Sequence, residues 1–400
     1  MKKVLSLCMA LLLVLALCAP AAAQETAITF VNEKVEKEIR RVTKIDEGDI
    51  YPSDLTTVDT LYLGRSELTD VDFLKDFTGL KYLSLGNNEL TDVSVLAQLP
   101  DLLVLEAGGN QIVDAAQFAQ FPSLQMLSVS YNPIEDFSPL GQLTGLTDLY
   151  LTYNDALTDL SWITGLTKLQ VLDVSNTGVS DLSPLAGLTG LTELDVSSLK
   201  GVSLEPLAGL TGLQTLSADY TEVSDLSPLA GLTMLSDLGL GSCAVTDVSP
   251  LAGLTKLTDL DLSFNKALAD VSPLSGLSRL SSLSLSGCEA LSDLTALGSL
   301  SALETAYLSY CAISDVSPLA ACAKLTFLTL SDNRIEDASP LAGMTQLRNL
   351  YLDENLLTDA TVLGTLQSLS ALDLDDNKSL TAENVDALRK LLPNCDISFE

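Results

Sequence analysis

The sequence predicts an α/β solenoid: a horseshoe whose concave side is a parallel β-sheet of about fifteen strands, with short helical turns on the convex side. Three observations predict it. A leucine, two residues, a leucine, one residue, a leucine and then an asparagine-like position recur throughout, as Leu80, Leu83, Leu85, Asn88 and again as Leu325, Leu328, Leu330, Asn333. The starts, from Val58 and Leu80 to Leu347 and Leu369, mark fifteen units 22 residues apart, with three spacings of 23 after Leu146, Leu257 and Leu280. Each unit opens on an alternating stretch such as Leu83-Ser84-Leu85, a strand with one face inward. A fixed period in this range marks a stack of coils that cover one another's apolar faces.

The elements follow in order. Residues 1–23 read as a secretory signal peptide: Lys2-Lys3, an apolar run from Val4 to Leu17, and a small-residue cleavage site at Ala21-Ala22-Ala23. The run is too short for a membrane span. A lipid anchor at Cys18 is the weaker alternative, because Leu17 before it is a poor fit to the small residue such sites need. Residues 24–57 place Val35, Ile39 and Val42 at helical spacing amid charges, an amphipathic helix expected to cap the first coil. Residues 58–380 are the repeats. Residues 381–400 carry a second helical stripe (Val385, Leu388, Leu391, Leu392) and a last short strand around Ile397, the cap at the other end. Capping is required because an open coil face aggregates.

Two recurring motifs look like chemistry but read as structure. Asn88, Asn110, Asn132, Asn154, Asn265, Asn333, Asn355 and Asn377 stand where each strand turns away, and an amide there can satisfy backbone groups buried between coils. Thr177, Thr221, Cys243, Cys288 and Cys311 take the same place; Leu199 breaks the ladder and predicts a local irregularity. The Asp-x-Ser-Pro-Leu motif, as in Asp247 to Leu251, is read as a serine N-cap with proline at the first helical position and an aspartate that accepts loose N–H groups.

The unit LxxLxLxxNxIxDxSPLxxLxx, behind a helical cap that ends in Gly48-Asp49-Ile50, resembles the internalin-type leucine-rich repeats of bacterial surface proteins. The resemblance covers essentially the whole mature chain. It implies extracellular binding of a partner protein through the concave face. The sequence departs from well-known members in two respects: no immunoglobulin-like module follows the last repeat, and Leu392-Pro393-Asn394-Cys395 is not a wall-sorting motif.

Composition narrows the function. With no histidine, Ser–His and Cys–His nucleophilic pairs and histidine-bearing metal sites are excluded. Neither cofactor nor metal is expected, and an open sheet without a water-excluding cleft argues against an enzyme. The cysteines are expected as buried free thiols; a Cys288–Cys311 bridge is the less favoured alternative. A net charge of −32, or −34 without Lys2 and Lys3, excludes nucleic acid as a natural partner.

The strand phase puts Asp148, Asp173, Glu193, Asp195, Asp237, Asp259 and Asp261 on the concave face, together with Tyr131, Tyr150, Tyr153, Tyr220 and Phe264. Exposed aromatics on a rigid sheet are interface anchors, and acids steer basic partners. These twelve residues are therefore the candidate partner-binding site, for a protein ligand of basic character, on a chain expected to be monomeric. An envelope structural role, or a glycan-binding face whose tyrosines stack on sugars, is the alternative.

Overall fold

The computed structural model describes residues 25–121 and 123–400. The signal peptide expected at 1–23, with its cleavage site and Cys18, lies outside the described residues. Sixteen three-residue strands, from β1 (Thr60–Tyr62) to β16 (Asp396–Ser398), form one parallel sheet in strict sequence order. Fifteen belong to the repeats and the sixteenth to the C-terminal end. Every pairing is in phase with the repeat, for example Leu83 with Leu105 and Leu372 with Ile397. The sheet is open; short 3-10 turns on the opposite side join the strands up to the fifteenth (Ala371–Asp373), and the helix Ala382–Leu391 joins that one to β16.

The repeat leucines are the core. Leu80, Leu83, Leu85, Leu90, Val93 and Leu96 of one coil are fully buried, and one continuous apolar cluster runs from Val35 to Ile397. No coil could bury these side chains alone, so stability is propagated from neighbour to neighbour.

The asparagine ladder ties adjacent coils together. Asn132 Nδ2 donates to Ala107 O (3.0 Å) in the preceding coil and to Val129 O (3.0 Å) in its own, while its Oδ1 accepts from Ile112 N (3.1 Å). Cysteine keeps only half of this function. Cys243, Cys288 and Cys311 donate to Ala218 O, Leu262 O and Leu285 O at 3.2–3.3 Å, in the place of the amide donor, but supply no amide oxygen. All five described cysteines are free, as expected. Burial pushes the Cys288 thiol up to about 12 and the Cys311 thiol to about 11, which leaves both inert. At the break in the ladder, Leu199 is buried as a plain apolar filler, and the irregularity is confined to a turn with Gly201 at φ 69°; the strands on either side keep register.

The turn motif corrects one expectation. Serine is not the cap of the helical turn but its first residue, as in the turns Ser249–Gly253 and Ser317–Ala321. The residue before it, Val248 or Val316, is the cap and makes no side-chain capping bond, and the aspartate one place further back is the acceptor, as expected. Its Oδ1 accepts the serine N–H in each case, at 2.8 Å for both Asp247 and Asp315. With proline at the next position these turns are pre-bent and need no longer helix.

Both ends are closed. Asn32 starts the helix Glu33–Thr43 by accepting from Val35 N, and Val35 and Ile39 are buried against the first coil. Glu38 reaches β1 and accepts from Tyr62 N (3.1 Å), which blunts the sheet edge. At the other end the helix Ala382–Leu391 buries Val385 and Leu388. Leu391, half exposed, lies so close to Gly364 that a Cβ there would meet it at 2.5 Å.

Candidate partner-binding face

Each strand buries its middle leucine and turns its outer two residues to the concave side. This places Asp148 and Tyr150 on β5 (Asp148–Tyr150), Asp173 on β6 (Val171–Asp173), and Glu193 and Asp195 on β7 (Glu193–Asp195). Asp237 follows on β9 (Asp237–Gly239), and Asp259 and Asp261 on β10 (Asp259–Asp261).

Tyr131, Tyr153, Tyr220 and Phe264 are not on strands. Each immediately precedes the ladder residue, with φ of 55°, 57°, 60° and 56°. Every coil has a left-handed residue at this point, and Asn87, Gly109 and Asn176 occupy it without difficulty. A bulky aromatic there is held against its backbone preference. These rings are also exposed, Tyr220 to 64% and Tyr131 to 55%, so packing does not explain them.

The structure divides the twelve expected residues between two regions. At the first, the Tyr131 and Tyr153 rings stack with centroids 4.2 Å apart and planes at 19°. Tyr131 and Tyr150 line a hollow of about 550 Å3 with Glu106, Met126, Thr152 and Asp173. Burial raises the Tyr150 hydroxyl above its ordinary pKa, and the carboxylates of Asp148, Glu193, Asp173 and Glu106 add to the rise. The second is a hollow of about 420 Å3 where Asp237, Asp259 and Asp261 meet Asp219 over a floor of Ser217 and Gly239. Glu193 and Asp195 bridge the two. Tyr220 stands alone on the rim, and Phe264 lies over Gly287, where an added Cβ would meet its ring at 2.6 Å.

The acidic strip is uncompensated. Asp173 faces Asp195, and Asp237 faces Asp259, in register on paired strands, an arrangement that destabilises a sheet. The carboxyls of Asp173, Asp219 and Asp237 all lie above the usual range. Burial is the main cause in each, reinforced by Asp195 for Asp173, by Asp261 and Asp195 for Asp219, and by Asp259 for Asp237. Backbone N–H groups hold several of the carboxylates in place: Ser175 N on Asp173 (2.9 Å), Gly241 N on Asp219 (2.6 Å) and Ser263 N on Asp261 (2.8 Å). The five ion pairs among the described residues lie elsewhere, and none includes a carboxylate of the strip. Nor do the described residues contain a cluster suited to a metal ion.

The twelve candidate residues leave out part of this face, although the strand phase also puts Asp219, Tyr307 and Tyr351 on it. Glu106 and Met126 complete the first hollow, and Asp219 the second. Tyr307, Phe327 and Tyr351 form a further aromatic row, with centroids 5.3 and 5.7 Å apart. Phe327 stands two places after the unit start Leu325, the position that Asp148 holds after Leu146, so the same phase marks it.

Leucine-rich-repeat families match three stretches of the "Leucine Rich repeats (2 copies)" type, residues 56–98, 122–165 and 301–343, and one "Leucine Rich repeat" at 253–271. The internalin InlF of Listeria monocytogenes is 28% identical over 94% of this chain and 98% of its own, with a TM-score of 0.60. The chain is an internalin-like leucine-rich-repeat protein. A leucine-rich-repeat protein of Leptospira interrogans, 24% identical over 87% of this chain and 97% of its own, has a TM-score of 0.77. The InlJ functional domain of L. monocytogenes, whose structure is described as including a cysteine ladder, is 20% identical over 84% of this chain and 78% of its own, with a TM-score of 0.66. These two likenesses concern the fold alone. A comparison with curated proteins returned no match. In this internalin-like chain the ladder is mainly asparagine, with cysteine at three rungs. No helix among the described residues is long and apolar enough to cross a membrane.

Proposed function

We propose that this internalin-like chain is a secreted or cell-surface scaffold that binds a basic partner protein through its concave acidic, tyrosine-rich face. One observation carries the reading: a strip of half-buried carboxylates, unpaired and facing one another across strands, borders a stacked pair of tyrosines in strained backbone. Facing carboxylates repel one another, and a left-handed backbone opposes an aromatic residue. A cationic surface would neutralise the first and pack on the second. The role is one of binding rather than catalysis, since the face is open along its length. Export rests on the leader-like start at 1–23 and on the internalin likeness. The mature chain is then one solenoid domain and a monomer, with caps at 24–57 and 381–400 around repeats 58–380.

The test is affinity capture with residues 24–400 from host and bacterial surface extracts, beside the same protein carrying Asp173→Asn, Asp195→Asn and Asp261→Asn. A partner captured by the first and lost by the second, with affinity that falls steeply with salt, supports the reading. Salt-insensitive capture of polysaccharide by both proteins would replace it with the glycan-binding alternative.

A further inference from the structure

Two sets of aromatic groups on the concave face flank the carboxylates of the strip, with Tyr220 and Phe264 between them in the chain and a Tyr62–Tyr82 pair further upstream. The first is the Tyr131–Tyr153 stack and Tyr150. The second is the Tyr307–Phe327–Tyr351 row, on strands β12 (Thr305–Tyr307), β13 (Phe327–Thr329) and β14 (Asn349–Tyr351). The path joining them is continuous: Asp173 lines the first hollow, Asp195 faces it across the strands, and Tyr307 lines the acidic hollow that contains Asp219, Asp237, Asp259 and Asp261. The floor of that hollow is low. Ser217 and Gly239 occupy the third strand position where Tyr150 and Asp173 stand upstream, and a Cβ on Gly239 would meet the Asp219 carboxylate at 2.6 Å. The result is a trough with acidic walls, closed at each end by rings.

We infer that this trough takes an extended polypeptide segment with a lysine- and arginine-rich middle and an aromatic or large apolar side chain at each end. The inference rests on the basic-partner reading above and adds the form of the partner. From β5 to β12 there are seven strand steps of about 4.8 Å, or roughly 34 Å, which an extended chain covers with about ten residues. The carboxylates supply the charge complementary to the middle of such a segment, and none of the ion pairs among the described residues includes them. Rings at both ends make the second contact intramolecular once the first has formed.

The probe is a fluorescein-labelled synthetic peptide of about twelve residues, with tryptophan at both ends and alternating arginine and serine between. It is compared with versions lacking one or both tryptophans and with an aspartate-for-arginine version, by fluorescence anisotropy on residues 24–400. The two-ended peptide is expected to bind at least about 10-fold more tightly than either one-ended peptide. Tyr307→Ala with Tyr351→Ala should abolish that advantage, whereas Tyr307→Phe with Tyr351→Phe should preserve it. Because the peptide series alters no residue of the protein, a folding defect in the alanine variant leaves the test intact. Equal affinity of all the arginine peptides would overturn the two-ended trough and leave the basic-partner reading standing. Failure of every arginine peptide to bind would overturn the trough, and capture of a folded basic partner would still decide the broader reading.

Discussion

Asp247 at the turn edge and Asp237 on the concave sheet belong to the same coil and are held in opposite electrostatic states. Asp247 is exposed and accepts both the N–H and the hydroxyl of Ser249 (2.8 and 3.0 Å), and these bonds hold its carboxyl below the usual range. Asp237 is raised by burial and by Asp259 opposite. The contrast extends along the molecule, with Asp136, Asp181, Asp225, Asp270 and Asp315 on the lowered side and Asp173 and Asp219 on the raised side. Turn aspartates favour the fold by being charged. Asp173, Asp219 and Asp237 oppose it by being charged.

The comparison can be broken at several points. The largest expected effect is on binding: Tyr150→Ala with Tyr153→Ala should weaken capture of the basic partner by about 2 kcal/mol or more, with the denaturation midpoint little changed. An unaltered affinity in titration calorimetry would remove the first aromatic region from the site. Next is the ladder, which belongs wholly to the fold. Asn132→Ala should destabilise by about 1–3 kcal/mol in urea titrations, since the buried Ile112 N loses its acceptor and Ala107 O and Val129 O each lose one of two amide donors. Asp261→Asn, which can still accept from Ser263 N, should change stability by about 0.5 kcal/mol or less. Equal losses from the two would mean that inside and outside have been exchanged.

Smaller effects separate the two sets of aspartates by pH. For a turn aspartate the folded pKa lies below the unfolded one, so its contribution is present above the unfolded value and disappears as pH falls through the folded value. For a concave aspartate the folded pKa is the higher, so the fold is favoured below the unfolded value and that advantage is lost as pH rises through the folded one. Asp173→Asn with Asp237→Asn should therefore raise the thermal midpoint at pH 7 and leave it nearly unchanged at pH 3. Asp247→Ala should lower it at pH 7 and do progressively less as the solution is acidified. Thermal melts that move in the same direction for both variants would erase the distinction.

Much of this was legible in the sequence, for a physical reason. A parallel stack repeats one environment per coil, so the leucine phase assigned buried and solvent-facing positions from Thr60 to Asp373 without reference to tertiary structure. The ladder asparagines and the free cysteines were readable because each must satisfy a backbone group at a fixed place. The left-handed column was not: Tyr131 and Phe264 do not signal positive φ as Asn87 or Gly109 would. That Ser249 begins the turn and does not cap it was hidden, because serine can stand at either position and only backbone geometry decides, whereas the acceptor role of Asp247 was readable. Which tyrosines stack depends on ring orientation, so Tyr131 with Tyr153 emerged only in three dimensions.

The strict register of the sheet makes residue number a linear coordinate. Each 22-residue unit advances the chain by one strand spacing of about 4.8 Å, and the three 23-residue units add their extra residue between ladder and turn without disturbing the count. Distance along the face is thus quantised in coils. Excising residues 213–234 would join chemically equivalent surfaces at Gly212 and Leu235 and carry everything downstream one step closer. A solenoid of this kind behaves as a graduated rule on which features can be brought together or drawn apart by whole divisions, while each division keeps its own chemistry.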